Sequence, residues 1–125
     1  PGSANLFGHQ FFRVAAETCK QLGKRGILLT RFGEQIPHDL PPQVKHFEFA
    51  PFRWLLPQVE MLVHHGGVGS MSQAMAAGIP QIIMPMAFDQ VDNAYRVEKL
   101  GVGGSVARER FEVPRLAAKI SALLN

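Results

Sequence analysis

The sequence predicts an α/β domain built on a parallel sheet with helices covering both faces. Three observations predict it. Short apolar runs of strand length alternate with segments of helical period, glycine or proline punctuates the junctions, and the composition is that of a globular protein. Of 125 residues, 46% are hydrophobic and 18% charged, which supplies one ordinary core and excludes a disordered chain.

Residues 10–22 carry apolar side chains at three- and four-residue spacing and are followed by Gly23, so a helix with a glycine stop is predicted. Cys19 falls in step with Phe12, Ala15 and Ala16 on that helix, which assigns it to packing rather than reactivity. Gly26-Ile27-Leu28-Leu29-Thr30 is a short apolar run between breakers and suits a buried strand. Residues 36–43 contain Pro37, Pro41 and Pro42 and read as a loop, and residues 46–49 alternate weakly as a short strand. Met61-Leu62-Val63-His64 is an apolar strand that runs straight into Gly66 and Gly67. Residues 70–77 are rich in Ala and Met and end at Gly78, as a helix does. Residues 81–84 form the next strand, closed by Pro85. A helix is predicted over residues 89–100, with Val91, Ala94, Val97 and Leu100 as its apolar row and Gly101 as its end. Residues 102–106 make the final strand, and residues 114–124 the final helix, with Pro114 in its first turn. Repeats and low-complexity tracts are absent from the sequence.

Several function classes are set aside by composition. A single cysteine cannot form an internal disulfide, which points to a reducing compartment. No apolar run reaches bilayer length and no signal-peptide pattern opens the chain, so a cytoplasmic location, or a peripheral one at the membrane, is expected. The net charge of +3 is only mildly basic. Lys20, Lys24 and Arg25 cluster without interleaved aromatics, as at a helix C-terminus, so no nucleic-acid partner is expected.

In parallel sheets ligands bind beyond the carboxyl ends of the strands, and two polar clusters fall at such ends. The first is His65-Gly66-Gly67-Val68-Gly69-Ser70, a strand-to-helix turn whose glycines let backbone amides approach a ligand and whose helix start favours an anion. A phosphate or diphosphate is its natural ligand. The turn is neither a P-loop, since no Gly-Lys-Ser/Thr follows, nor the dinucleotide fingerprint, since Ser72 stands where a third glycine would fall. Ser70 equally suits an N-cap, with Gln73 closing a capping box. The adjacent His64 and His65 point to opposite faces of a strand, so only one of them can serve a site there. No Cys, His or carboxylate set has metal-ligand spacing, and no metal is expected. The second cluster is Asp89-Gln90 with Asn93. Asp89 can be a helix cap, or the carboxylate and amides can face sugar hydroxyls.

Taken in order, His65-Gly66-Gly67-Val68-Gly69-Ser70, Gly78-Ile79-Pro80, Pro85 and Asp89-Gln90-Val91-Asp92-Asn93-Ala94 resemble the donor signature of family 1 glycosyltransferases. The resemblance is strong from about Phe49 to Gly103. It implies one half of a GT-B fold: residues 1–125 as a Rossmann-like, nucleotide-sugar-binding domain, with an N-terminal acceptor domain absent from this chain. It also implies site residues. His65 and the amides around Gly67, Gly69 and Ser70 would hold the diphosphate, and Ser3, after Gly2, would reach it as well. Asp89 and Gln90 would bond the sugar hydroxyls. Phe49-Ala50-Pro51 resembles the segment that edges the base, with Phe49 as either a stacking platform or a core residue beside Phe47 and Phe52. Gln73 stands where many members carry a ribose-binding glutamate, which opens the choice between ribose and deoxyribose.

The function so implied is transfer, with inversion, of a sugar from a UDP- or dTDP-sugar to an acceptor hydroxyl. His65 would stabilise the leaving diphosphate and no cofactor would be needed. The acceptor, a small molecule or lipid, and the general base would belong to the N-terminal domain, so the fragment alone would bind donor and catalyse little. A non-catalytic nucleotide-sugar-binding module, and a GT-B lipid-linked sugar transferase or epimerase, stay open as alternatives.

Overall fold

The computed structural model describes the backbone of residues 2–124, and the side chains of these apart from residues 2–7 and 88. All strand pairings are parallel, as the alternation of elements predicts, and they form one sheet of two strands and one of three. Contacts divide the chain into two compact units.

The first unit holds residues 2–50 and Glu112–Ala117. Helix α1 (Gly2–Leu22) leads to strand β1 (Gly26–Leu29), a 3-10 turn (Gly33–Gln35) and strand β2 (Val44–Phe47). β1 and β2 pair in register Gly26↔Val44 through Leu29↔Phe47. α1 packs on them through Ala16, against Leu28 and Val44, with Phe12, Ala15 and Cys19 around this core. Burial raises the Cys19 thiol pKa, which keeps it in the inert form that its place on the helix predicts. α1 starts eight residues earlier than its apolar period suggests. Gly8, a residue that argues against helix, is accommodated there because Gln35 occupies the space of a side chain. A Cβ at Gly8 would lie 2.5 Å from Gln35 Cδ.

The second unit holds Pro51–Phe111 and residues 118–124. Its elements are helix α2 (Phe52–Leu55), a 3-10 turn (Leu56–Gln58), strand β3 (Leu62–His64), helix α3 (Val68–Ala77), strand β4 (Gln81–Ile83), helix α4 (Phe88–Leu100) and strand β5 (Gly103–Ser105). Helix α5 (Val113–Leu124) closes the chain. The sheet order is β3-β4-β5, so the turns after β3 and β4 emerge on one rim. β4 is wholly buried, and its Ile83 packs with Met71 of α3 and with Ala94 and Val97 of α4. α3 and α4 end at Gly78 and Gly101, both at φ +73°, the left-handed stop that the sequence signals.

One expectation needs correction, and one element escapes the sequence reading. The predicted apolar row of α4 is only half right. Ala94 and Val97 are buried, whereas Val91 is 52% and Leu100 65% exposed. The buried stripe instead passes through Asn93, a polar residue made acceptable by a hydrogen bond. α2 and its 3-10 extension give no periodic signal, because Pro57 interrupts a segment too short to show one. It is anchored by Leu56, only 1% exposed.

Gly103 allows the closest approach in this sheet. A Cβ there would collide with the Gln81 carbonyl oxygen and lie 2.8 Å from Val97 Cγ1. Gly103→Ala is expected to lower the unfolding free energy by about 3 kcal/mol. Gly33→Ala, where nothing lies within 4 Å of the added carbon, should change it by less than about 0.5 kcal/mol. Urea denaturation of both variants checks the contrast, and equal losses would refute it.

Candidate functional site

The glycine-rich turn joins β3 to α3, and its geometry is fixed from inside. Gly66 adopts φ +97°, a conformation that side chains disfavour. It also has no room for one, since a Cβ would lie 2.8 Å from Ile83 Cγ2 and 3.2 Å from the Gln90 carbonyl oxygen. Both backbone groups of Gly66 are engaged. Its N–H donates to His64 Nδ1 at 3.0 Å, and its carbonyl accepts from Asn93 Nδ2 at 2.7 Å.

That first bond settles the state of His64. With Nδ1 accepting, the imidazole hydrogen sits on Nε2, which donates to Gln81 Oε1 at 2.7 Å. Gln81, fully buried, passes the chain on by donating to the Met71 carbonyl at 3.3 Å. A neutral row of hydrogen bonds thus runs from the turn through β3 and β4 to α3. Of the two adjacent histidines, His64 is the structural one.

His65, the next residue beyond β3, is half-buried. Its Nδ1–H donates to the Met84 carbonyl at 3.2 Å, which anchors the ring to the end of β4. Burial lowers its pKa, partly offset by that hydrogen bond. Beyond it, Gly67 is the N-cap of α3 and no side chain caps the helix. The first intrahelical bond runs from Met71 N to Gly67 O at 3.0 Å, so the amides of residues 68–70 come before it and lack an intrahelical acceptor. Ser70 is therefore not the cap, and Gln73 closes no capping box. The glycine turn enters the helix three residues before Ser70. Gln73 is exposed one turn beyond Gly69 and Ser70, on the same side of α3.

At the start of α4 the N-cap is Ala87, again without a side-chain cap, so Asp89 is not a cap either. Asp89 lies inside the first turn and is exposed. Gln90 Oε1 accepts from Met86 N–H at 2.6 Å, tying down the loop after β4 and leaving its NH₂ as donor. Asn93 belongs to the frame beneath these two residues and is buried, not turned to solvent with them.

The second unit therefore brings His65, Gly67, Gly69, Ser70 and Gln73 onto one turn and helix. Asp89 and Gln90 stand at the neighbouring helix start on the same rim. Phe49 and Ala50 belong to the first unit. The Phe49 ring is 78% exposed, which rules out core packing as its role. The side chain of Ser3 lies outside the described residues. Among the described residues, no three His, Cys, Asp or Glu side chains group to hold a metal ion, and no helix is long and apolar enough to cross a membrane. A groove of about 470 Å³ lined by Pro85, Val91, Tyr95, Glu98 and Arg108 contains none of these candidate residues. Sequence reasoning missed His64, Gln81 and Asn93 as a frame. The available signal was Gln81, a single polar residue opening a strand otherwise made of Ile and Met.

Burial pushes the pKa of both histidines below the ordinary 6.5, the dominant cause in each case. The unfolded chain therefore takes up protons first as pH falls. Stability is full above about pH 6.5 and is lost progressively below it, down through the native values. Thermal unfolding followed by circular dichroism should show a midpoint that falls between about pH 7 and about pH 5. The dependence should be shallower in His64→Gln, which keeps a donor and an acceptor but does not titrate. A flat wild-type profile would contradict the burial argument.

Comparison with known proteins gives this geometry a context. Residues 27–125 match the family model described as erythromycin biosynthesis protein CIII-like, C-terminal domain. A sterol 3-beta-glucosyltransferase of Aspergillus clavatus is 47% identical over 64 residues, covering 51% of this chain and 5% of that protein. The glycotransferase of kitacinnamycin superposes with a TM-score of 0.84 at 26% identity, covering 93% of this chain and 31% of that one. The glycosyltransferase VinC, solved in complex with dTDP, gives a TM-score of 0.76 at 26% identity over 87% of this chain and 28% of its own. The chain thus spans a small part of the curated relative and about a third of the solved structures. It belongs to the erythromycin biosynthesis protein CIII-like C-terminal domain family, within the family 1 glycosyltransferases of GT-B architecture.

Proposed function

We propose that this chain is the donor-binding domain of a glycosyltransferase and binds a nucleotide-diphosphate sugar on the rim of the β3-β4-β5 sheet. One observation carries the reading. The first-turn amides of α3 lack intrahelical acceptors, no side chain caps them, and His65 stands beside them. Such an arrangement favours a compact anion through both hydrogen bonds and helix dipole. The diphosphate takes the amides around Gly67, Gly69 and Ser70, with His65 against it. Gln73 reaches the ribose, and Asp89 and the Gln90 NH₂ take sugar hydroxyls. In the first unit, Phe49 beside Ala50 presents an exposed aromatic face of the kind on which a base stacks.

Within a longer protein carrying an acceptor domain, the acceptor oxygen attacks the anomeric carbon from the face opposite the diphosphate. The bond from that carbon to the diphosphate oxygen breaks, its electron pair leaves with the diphosphate, and the configuration inverts. A base in the acceptor domain takes the acceptor proton. The α3 dipole stabilises the charge growing on the leaving group. His65, neutral when buried and empty, gains a proton as the dianion raises its pKa, and then donates to it. The dTDP held by VinC supports a nucleoside diphosphate as the ligand class, and UDP fits the same contacts.

Calorimetric titration with UDP, dTDP and GDP tests the reading. Saturable binding of one of them is expected, tighter at about pH 6 than at about pH 8 because a proton is taken up. His65→Ala should weaken it about tenfold or more, the loss of a charge-assisted hydrogen bond. Gln73→Glu should shift preference toward UDP over dTDP, since a carboxylate holds ribose hydroxyls more strongly. Failure of all three nucleotides to bind at about 1 mM would sink the proposal.

A further inference from the structure

The geometry points to Asn93 as a positioning residue that locks the glycine turn to the start of α4, so that the two clusters on the rim act as one site. We infer this from its place rather than from any contact with ligand. Asn93 is 8% exposed, and its Nδ2 donates at 2.7 Å to the carbonyl of Gly66, the residue whose backbone shape sets the turn. It stands on α4 one turn beyond Asp89 and Gln90, so it holds the turn from the helix that carries them. The contact is close on both sides. A Cβ on Gly66 would lie 3.2 Å from Gln90 Cβ and from the Gln90 carbonyl, leaving no slack between turn and helix.

The other bond to Gly66 has a different reach. His64 holds the Gly66 N–H and connects through Gln81 to α3, so it orders the turn against β3, β4 and α3 without involving α4. Loss of Asn93 leaves that half intact. The expected consequence is selective: the amides of residues 68–70 keep their arrangement, while Asp89 and Gln90 lose their fixed distance from them. The free-energy advantage of a sugar nucleotide over its parent diphosphate depends on that distance.

This inference rests on the nucleotide-sugar reading above, and the experiment separates the two. Asn93→Ala and the near-isosteric Asn93→Leu, both without a donor, are titrated with UDP and UDP-glucose and with dTDP and dTDP-glucose. UDP-glucose or dTDP-glucose binding is expected to weaken about tenfold, and the parent diphosphate by less than about threefold. Unchanged affinity for both ligands, or equal loss of both, overturns the positioning role. Hydrogen exchange on the ligand-free chain provides the independent arm. Exchange should accelerate about tenfold or more in the variants at residues 89–93 and at Gly67, with β4 unaffected. Faster exchange throughout the unit, or none, also overturns it. If the variants do not fold, the wild-type carboxamide decides. Its Nδ2 protons should exchange about tenfold slower than those of an exposed asparagine, and equal rates overturn the lock. A wild-type chain that binds no nucleotide but shows the localised exchange keeps the lock and refutes the nucleotide reading.

Discussion

The organisation of the second unit depends on one crowded backbone position. Gly66 lies between the Ile83 side chain and the first turn of α4, at a positive φ, with its N–H given to His64 and its carbonyl to Asn93. A glycine is required on two separate grounds, conformation and space. Once it is there, the chain leaves β3 in a direction that makes Gly67 the cap of α3 and turns the following amides outward. The exposed part of the turn can stay unencumbered because its buried part is satisfied internally.

That division of labour explains the two adjacent histidines. Neighbouring strand residues face opposite ways, and the pair has been given opposite tasks. His64 has both nitrogens engaged in a neutral network, where a charge would break the bond to Gly66. His65 is anchored through Nδ1 to a main-chain carbonyl, and burial lowers its pKa; in the proposed site it gains a proton beside an anion. One strand step thus separates a fixed strut from a responsive group. In the proposed site an anion is the partner of the responsive one.

Much of this could be read from the residues. The glycine stops at Gly78 and Gly101, the buried strand at Gln81, and the turn after His64 all follow from local rules with short reach, and each is found within a residue or two. What the sequence hid has a common physical origin. The capping roles given to Ser70 and Asp89 rest on residue type, but caps are set by where the backbone becomes helical, and tertiary packing on Gly66 and the loop after β4 moved those points upstream. Polarity and closeness in sequence group Asn93 with Asp89 and Gln90. Its actual partner is 27 residues away, which no periodicity reveals. The early start of α1 was masked by Gly8, whose fit depends on Gln35 in a different element. Local grammar was legible, and long-range pairs were not.

The bond from Met86 to Gln90 gives the two residues at the start of α4 unequal freedom to vary. Gln90 braces the loop after β4, so under the proposed sugar-binding role a mutation there changes recognition and loop together. Asp89 is exposed and makes no bracing bond of this kind among the described residues, which lets selection test other side chains at little risk to the loop. Under the proposed donor site, divergence in sugar preference should therefore proceed through Asp89 first. Gln90 would change only after another residue had taken over the loop.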